Sequence, residues 1–192
     1  MNKKSPRSAV LDANVLYSAA MRDFFMYLAI RFVFQPKWTD EIHEEWINAV
    51  LRNRPTLTRA MLERTRDLMN QHGNDWEVPP YQHLIPDLHL SDKNDRHVLA
   101  AAIAARSPVI VTLNTGDFPA AVLANYDVQA LGPDAFACQL LAADPKRFLR
   151  AVREHRASLK YPSKTVPEYL SSLEVCGLRD TAKLLQNEEY TL

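Results

Sequence analysis

The chain has 192 residues, of which 47% are hydrophobic and 24% are charged. This composition is typical of a folded globular protein and excludes intrinsic disorder as a description of the whole chain. Because 23 Lys and Arg balance 23 Asp and Glu, net charge indicates neither a nucleic-acid nor a membrane partner, and any electrostatic argument depends on local clustering. Cys138 and Cys176 stand apart from any CxxC pair, which argues against a disulfide framework or a cysteine zinc site.

Neither a targeting segment nor a membrane span is predicted. The start of the chain is basic, but only three apolar residues follow before Asp12, too few for the apolar region of a signal peptide. No uncharged apolar run approaches the ~18 residues that a membrane span needs. We therefore expect a soluble, cytoplasmic protein with no membrane partner.

In the first half of the chain, short apolar runs typical of strands alternate with segments whose apolar residues recur at helical spacing. Residues 9–11 predict a buried strand, 18–32 a helix and 33–34 a short strand. Thr39 predicts the N-cap of a helix that ends near Arg52, and a second helix fits residues 57–71. Residues 72–91 contain four prolines or glycines, which predicts a loop with a short strand at 82–85.

The alternation continues to residue 143 and then stops. A helix is predicted from Asp92 to Ala105, a buried strand at 109–111 and a short helix after Pro119. A strand at 127–131 and a helix at 133–142 follow. This pattern predicts an α/β fold of three layers (α/β/α) around a mainly parallel sheet.

From residue 144 onward only helical patterns occur. A helix is predicted from Asp144 to about Tyr161, followed by one or two short helices. The sequence therefore predicts two parts, a domain of residues 1–143 and a helical carboxyl-terminal extension of residues 144–192.

Carboxylates occur at four places that a parallel sheet would bring together. Asp12 directly follows the first strand, and Asp117 follows the best strand by a few residues. Glu44 and Glu45 lie in the helix that begins after Thr39, and Asp92 and Asp95 precede the best strand. Open α/β sheets place their ligand sites at the carboxyl ends of the strands.

Such a cluster favours a hard cation. Carboxylates that share a site repel one another unless a positive charge lies among them. Mg²⁺ or Mn²⁺ uses a few carboxylates, keeps several waters and leaves room for phosphate oxygens. One or two such ions can activate water for in-line attack on a phosphodiester.

Each acidic residue also has a purely structural explanation. Asp92 and Asp95 match an N-cap with an acidic partner in the first helical turn, and Asp117 matches an N-cap before Pro119. Glu44 and Glu45 equally fit a solvated helix face. Asp12 is the hardest to explain structurally, because a charge directly after a buried strand is costly unless it is used or paired.

The order of these motifs resembles the PIN-domain nucleases over roughly residues 8–142. The run 10–16 (VLDANVL) is similar to the family's opening Asp-x-Asn strand, and 39–46 (TDEIHEEW) to its glutamate-bearing helix. Residues 92–102 (DKNDRHVLAAA) resemble its third acidic segment. The run 109–119 (VIVTLNTGDFP) resembles its Thr-x-Asn-x-x-Asp-Phe signature, and 131–136 (LGPDAF) its closing Pro-x-x-Phe.

The resemblance implies a divalent-metal-dependent endoribonuclease. It implies metal-binding, catalytic roles for Asp12, Glu45, Asp95 and Asp117. Four residues are implied to support them: Asn14 and Thr112 at Asp12 or the phosphate, Asn114 at the Asp117 loop, and Asp92. The resemblance also implies a toxin of a VapBC-type pair, with an RNA substrate, an antitoxin partner and a homodimer.

Basic residues outside the acidic motifs suggest contacts with phosphate. Between Lys146 and Lys164 there are seven basic residues and one acidic residue, and Arg150 and Arg153 are among them. They track an RNA backbone, form the solvated face of a docked helix, or contact a partner protein. Arg96 is a further candidate because its planar fork suits phosphate oxygens. His97 is expected to be a packed or surface histidine.

Two alternative functions remain open on the sequence. A haloacid dehalogenase-type phosphatase also has an Asp after its first strand, but it needs Asp-x-Asp, and Asn14 occupies the second position. A non-catalytic RNA-binding regulatory module would keep the fold without turnover, although the complete acidic set argues against it.

Overall fold

Four short parallel strands form the central sheet. A computed structural model describes residues 7–187. Its strands are β1 (Arg7–Leu11), β2 (Phe34–Lys37), β3 (Val109–Val111) and β4 (Gln129–Leu131), in the order β2-β1-β3-β4. Val10 pairs with Ile110, which sets β1 and β3 side by side at the centre.

Helices flank this sheet, as the alternating pattern predicted. Ala9–Leu11 and Val109–Val111 are at most 1% exposed, so both central strands are covered on each face. The three-layer α/β fold with carboxyl-terminal helices is confirmed. The helices are α1 (Ala13–Tyr17), α2 (Ala19–Ile30), α3 (Asp40–Asn53), α4 (Arg59–His72), α5 (Arg96–Ala104), α6 (Ala120–Leu123), α7 (Pro133–Ala143), α8 (Pro145–Ser158), α9 (Val166–Val175) and α10 (Arg179–Gln186).

Two predicted elements differ from the structure, and one helix was not predicted. The helix predicted at 18–32 is confirmed as α2, which Ser18 caps by accepting a hydrogen bond from the backbone N–H of Met21, and the unpredicted helix is the short α1 that precedes it. The strand predicted at 33–34 continues through Pro36, which a sheet tolerates here because β2 is an edge strand. The strand predicted at 82–85 is wrong, since Gln82–Asp87 forms a 3₁₀ helix.

The start of α5 also differs from the prediction. The helix begins at Arg96, not at Asp92. The Asp92 carboxylate accepts the backbone N–H of Asn94 (Oδ1···N 2.8 Å), a local turn that competes with helix formation. Asp92 and Asp95 therefore belong to the approach to α5, and no side-chain hydrogen bond from Asp95 caps the helix.

The carboxyl-terminal helices pack against the body of the molecule. On α8, Phe148 is fully buried and its ring meets that of Phe24 on α2 edge-on, with centroids 6.2 Å apart. Asp134 on α7 accepts hydrogen bonds from the backbone N–H groups of Asp180 and Thr181 on α10. Within residues 7–187 no helix is long and apolar enough to cross a bilayer.

Candidate active site

Asp12 occupies the carboxyl end of β1, where the central strands meet. Its backbone N–H donates to the carbonyl of Val111 (3.0 Å), which extends the β1–β3 pairing by one residue. Its side chain caps α1 by accepting the N–H of Ala13 (2.6 Å). The residue is only 6% exposed, so its carboxylate is held at a fixed place in a largely buried setting.

Asn14 and Thr112 fix the second carboxylate oxygen of Asp12. The Thr112 hydroxyl donates to Oδ2 (2.6 Å), and the Asn14 amide donates to the same oxygen (2.7 Å). Asn14 in turn accepts the backbone N–H of Leu113 (2.9 Å), and Thr112 Oγ1 accepts that of Asn114 (3.1 Å). Both predicted supporting residues therefore contact Asp12, and they join α1 to the loop after β3.

Asp95 lies close enough to the other predicted carboxylates for their charges to act on it. Burial raises its pKa from 3.8 to about 6, with further contributions from the charges of Asp12, Asp92, Asp117 and Glu45. Burial also raises the pKa of Asp12, against the hydrogen bonds from Thr112 and Ala13, and Glu45 raises it further. The sequence-predicted acidic residues thus share one electrostatic environment.

Glu45 is held by a histidine whose role the sequence analysis missed. His97 on α5 is 4% exposed, and its Nε2 lies 3.0 Å from Glu45 Oε1. Its Nδ1 lies 3.6 Å from Glu41 Oε2, which also accepts the hydroxyl of Tyr81 (3.2 Å). Burial lowers the pKa of His97, but the hydrogen bond and charge of Glu45, together with the charges of Glu41 and Asp12, outweigh it and leave the pKa raised.

The two remaining acidic residues, Glu44 and Asp117, have different surroundings. Glu44 points to a different partner, Arg59 (3.0 Å), and takes no part in the group around Asp95. Asp117 lies on a single 3₁₀ turn, Thr115–Asp117, and its backbone N–H donates to the carbonyl of Asn114 (3.0 Å). The link between Asn114 and Asp117 is therefore made by the backbone, while the Asn114 residue itself is exposed.

The donor set fits a divalent cation in charge and chemistry. Within residues 7–187, no three His, Cys, Asp or Glu side chains already have their ligand atoms gathered around one point. Burial raises the pKa of Asp95 and repulsion from the neighbouring carboxylates raises it further; a cation among these oxygens would relieve that repulsion. Carboxylate oxygens are the ligands that Mg²⁺ and Mn²⁺ prefer.

The three arginines predicted to bind substrate lie in two places. Arg96 begins α5 directly after Asp95, and its Nε donates to the carbonyl of Lys93 (3.3 Å). Arg150 and Arg153 lie on the exposed side of α8, where Arg150 pairs with Glu154 (3.0 Å). Their helix packs against α2 and α7.

Comparison with known proteins gives two family matches. The family model described as "PIN domain" matches residues 8–116, more than half of the chain, and that described as "VapC50 C-terminal domain" matches residues 133–187. A protein of Mycobacterium tuberculosis (strain ATCC 25618 / H37Rv), named "Putative ribonuclease VapC50", is 55% identical over 42 residues. That stretch is 22% of this chain and only 25% of the relative. No solved structure matches this chain.

Proposed function

Because this chain belongs to the PIN-domain family, we propose that it is a divalent-metal-dependent endoribonuclease. One observation carries the proposal: the burial of Asp95 and the charges of four neighbouring carboxylates together raise its pKa to about 6. Such a concentration of negative charge at the carboxyl ends of parallel strands favours a bound cation, here Mg²⁺ or Mn²⁺.

In this proposal Asp12, Asp95 and Asp117 would hold the ion directly, and Glu45 would complete the site through a water. When bound, the ion lowers the pKa of a water and offsets charge on the scissile phosphate. Asn14 and Thr112 keep the Asp12 carboxylate in place through their hydrogen bonds to Oδ2. These hydrogen bonds keep the carboxylate from rotating, so Asp12 presents the same oxygens throughout the reaction.

Glu45 acts as the group that positions or deprotonates the attacking water. Its Oε1 is occupied by His97, and its Oε2 has no hydrogen-bond partner within residues 7–187. A carboxylate held by one oxygen and free at the other can accept a proton without losing its orientation. The water oxygen then bonds to phosphorus as the bond to the leaving oxygen breaks.

The basic residues supply contacts to the rest of the RNA. We assign Arg96, beside Asp95, to a phosphate next to the scissile one, because a guanidinium pairs with two phosphate oxygens at once. Arg150 and Arg153 on α8 would bind phosphates farther along the strand. Asp92 would support the acidic segment through its turn at Asn94.

The proposal extends to a toxin of a type II toxin–antitoxin pair. Its support is the match to the VapC50 C-terminal domain and the relative that carries the ribonuclease VapC50 name. An antitoxin protein is then the expected partner, a homodimer the expected assembly and the cytoplasm the expected location. Co-purification of a short protein with the chain expressed from its own operon tests the partner.

Cleavage of RNA by purified protein tests the reaction. We expect products with Mg²⁺ or Mn²⁺, none with EDTA, and none from Asp12→Asn or Asp95→Asn. Glu44→Gln is the matched control, because Glu44 pairs with Arg59 and should be dispensable. Full activity in either aspartate variant, or metal-free cleavage by the wild type, would contradict the proposal.

The same preparation separates the two alternatives. A phosphatase of the haloacid dehalogenase type would form a phosphoenzyme on Asp12, yet Asn14 donates its amide to Asp12 and cannot serve as a general acid. A non-catalytic module would bind RNA in EDTA and cleave none with any metal.

A further inference from the structure

A cleft opens beside the acidic side chains, between α1, α3 and the loop after β3. Its volume is about 570 Å³, and its lining includes Asn14, Tyr17, Glu45, Asn48, Arg52 and Leu113. A space of this size suits a small organic group and exceeds what an ion and its waters need. Because Asn14 and Glu45 belong to both, the cleft is continuous with the acidic site.

Apolar and aromatic groups form much of the cleft wall. Tyr17 is half-buried at the end of α1, and the ring of Trp46 on α3 is fully buried behind the wall. Leu113 is 56% exposed, although the backbone N–H of this residue is fixed by Asn14 Oδ1 (2.9 Å). An exposed leucine is unremarkable by itself. Here it is anchored next to Asp12, where a bound substrate would cover it.

Two polar side chains of the cleft carry hydrogen-bond donors that face no partner among residues 7–187. Arg59 donates to Asn48 Oδ1 (2.6 Å), which fixes the amide and leaves its Nδ2 group without an acceptor in that range. Arg52 is exposed, and no residue within the part of the chain described, 7–187, makes an ion pair or hydrogen bond with its guanidinium. A mainly apolar cleft that also carries hydrogen-bond donors suits a ring with two apolar faces and a hydrogen-bonding edge.

We propose that the α1–α3 cleft binds the base of a nucleotide adjacent to the scissile phosphate. Tyr17 and Leu113 contact the faces of the base, and Asn48 and Arg52 donate to its edge. Single-stranded RNA is commonly read in this way, through bases that stack on side chains and hydrogen-bond along their edges. This inference rests on the proposed ribonuclease function and assigns base preference to residues outside the acidic site.

The test removes the base and the side chain separately and together. The probe is a short single-stranded RNA containing the mapped cleavage site, compared with the same RNA abasic on one or other side of that site. We expect an abasic nucleotide on one side to lower kcat/KM about tenfold in the wild type. Tyr17→Leu and Asn48→Ala should lower cleavage of the intact RNA by a similar factor and should add little on the abasic RNA.

Matched controls are Tyr126→Ala and Arg54→Ala, exposed residues that do not line the cleft. These variants should change neither the cleavage rate of the intact RNA nor that of the abasic RNA. Two results would overturn the cleft proposal while the nuclease proposal stands. One is that removing the base and changing Tyr17 lower kcat/KM by factors that multiply, and the other is that intact and abasic RNA are cleaved equally.

Binding measured without turnover separates the two proposals. The dissociation constants of intact and abasic RNA are compared in Asp12→Asn protein, with and without Tyr17→Leu. If the wild type cleaves no RNA, a short single-stranded RNA and its fully abasic counterpart serve as the probes. A preference for the intact RNA that depends on Tyr17 then supports the cleft, and only the nuclease assignment fails. Equal dissociation constants for the two RNAs count against the cleft.

Discussion

Asp95 carries an unfavourable charge in the metal-free protein. Its pKa is raised by burial and by the neighbouring carboxylates to about 6, from 3.8. A raised pKa means that the folded state holds its proton more tightly than the unfolded state does. The ionised carboxylate therefore destabilises the fold, fully above about pH 6 and progressively less as the pH falls towards 3.8.

Asp95→Asn should consequently stabilise the protein in EDTA while abolishing cleavage. At pH 7.5 we expect the Tm to rise by a few degrees, since about 2–4 °C corresponds to 1 kcal/mol in a chain of this size. The gain should shrink at pH 4. Calorimetry or circular dichroism measures both values, with Glu44→Gln as the control. A lower Tm at pH 7.5 would show that Asp95 is compensated by a partner.

His97 is predicted to position Glu45. His97→Leu removes the donor to Oε1 and should lower kcat about tenfold or more with little change in KM, because groups that orient metal-binding residues typically contribute that much. His97→Gln can restore one donor and should recover part of the loss. His83→Ala, at an exposed histidine, is the control. Proportional loss of soluble protein and activity, with no rescue by Gln, would mean that His97 only fills the core.

The sequence reveals the acidic residues more readily than their supports. Asp12 stands directly after a buried apolar run, where a charge calls for an explanation. The role of His97 depends on Glu45, which is 52 positions away in the chain and comes within 3.0 Å only when α3 and α5 pack. No local pattern encodes that contact, so an isolated histidine on an apolar helix face was expected to be structural.

Helix α3, which carries Glu45, is fixed to α4 by a buried histidine. The indole N–H of Trp46 donates to His43 Nδ1 (2.9 Å), so Nε2 bears the proton and donates to Asn70 Oδ1 (3.1 Å). Trp38 donates to the same oxygen (2.8 Å). This arrangement requires a neutral imidazole, and burial lowers the pKa of His43 to about 4.

Stability should therefore fall in acid through His43. The unfolded state takes up its proton near pH 6.5 and the folded state only near 4, so the contribution is complete above 6.5 and is lost as the pH drops towards 4. The full difference corresponds to about 3 kcal/mol. Three charged groups nearby also act on the imidazole: Asp40 raises the pKa of His43, and Arg66 and Arg22 lower it.

Denaturant unfolding at a series of pH values measures this effect. His43→Gln lacks the titrating group, so the difference in unfolding free energy between wild type and variant should narrow from pH 7 to pH 4. His72→Gln, at an exposed histidine, should follow the wild type. If the unfolding free energies of wild type and His43→Gln change in parallel with pH, His43 is excluded as the source of the loss of stability in acid.

Element boundaries were predictable where one local signal dominated. The cap at Thr39 placed α3 correctly, because its hydroxyl accepts the N–H of Ile42 as the motif requires. The start of α5 was misplaced because Asp92 offers the same residue type but bonds to Asn94 instead. The continuation of β2 through Pro36 depends on its edge position, which is a property of the sheet and not of the local sequence.

At the scale of the whole molecule, α8 packs closely against the PIN-like part, which is residues 7–143. His155 Nε2 lies 3.0 Å from Asp23 on α2, and its Nδ1 lies 2.9 Å from the hydroxyl of Tyr169 on α9. Glu154 on α8 pairs with Arg31 at the end of α2. The family model for the carboxyl-terminal domain begins with α7, at residue 133. One family model therefore covers both α7 and the helices of the extension predicted from residue 144.

These contacts predict that the extension and the PIN-like part unfold together. All three tryptophans, at positions 38, 46 and 76, precede the extension, so their fluorescence reports only the first part, whereas helical circular dichroism reports both. The two signals should give coincident transitions. Phe148→Ala should lower the common Tm by roughly 6–20 °C, the range expected for emptying a buried phenylalanine site in a chain of this length.

Leu184→Ala, at a residue that is 44% exposed on α10, provides the control and should leave the common transition nearly unchanged. Because Phe148 contacts Phe24 on α2, its loss should move the tryptophan signal as far as the helical signal. A Phe148→Ala protein in which circular dichroism melts early while the tryptophan transition stays in place would show that residues 144–192 form an independent unit. In that case the contacts between α8 and α2 would contribute little to the stability of the PIN-like part, and the proposed RNA contacts of Arg150 and Arg153 would act from a separable arm.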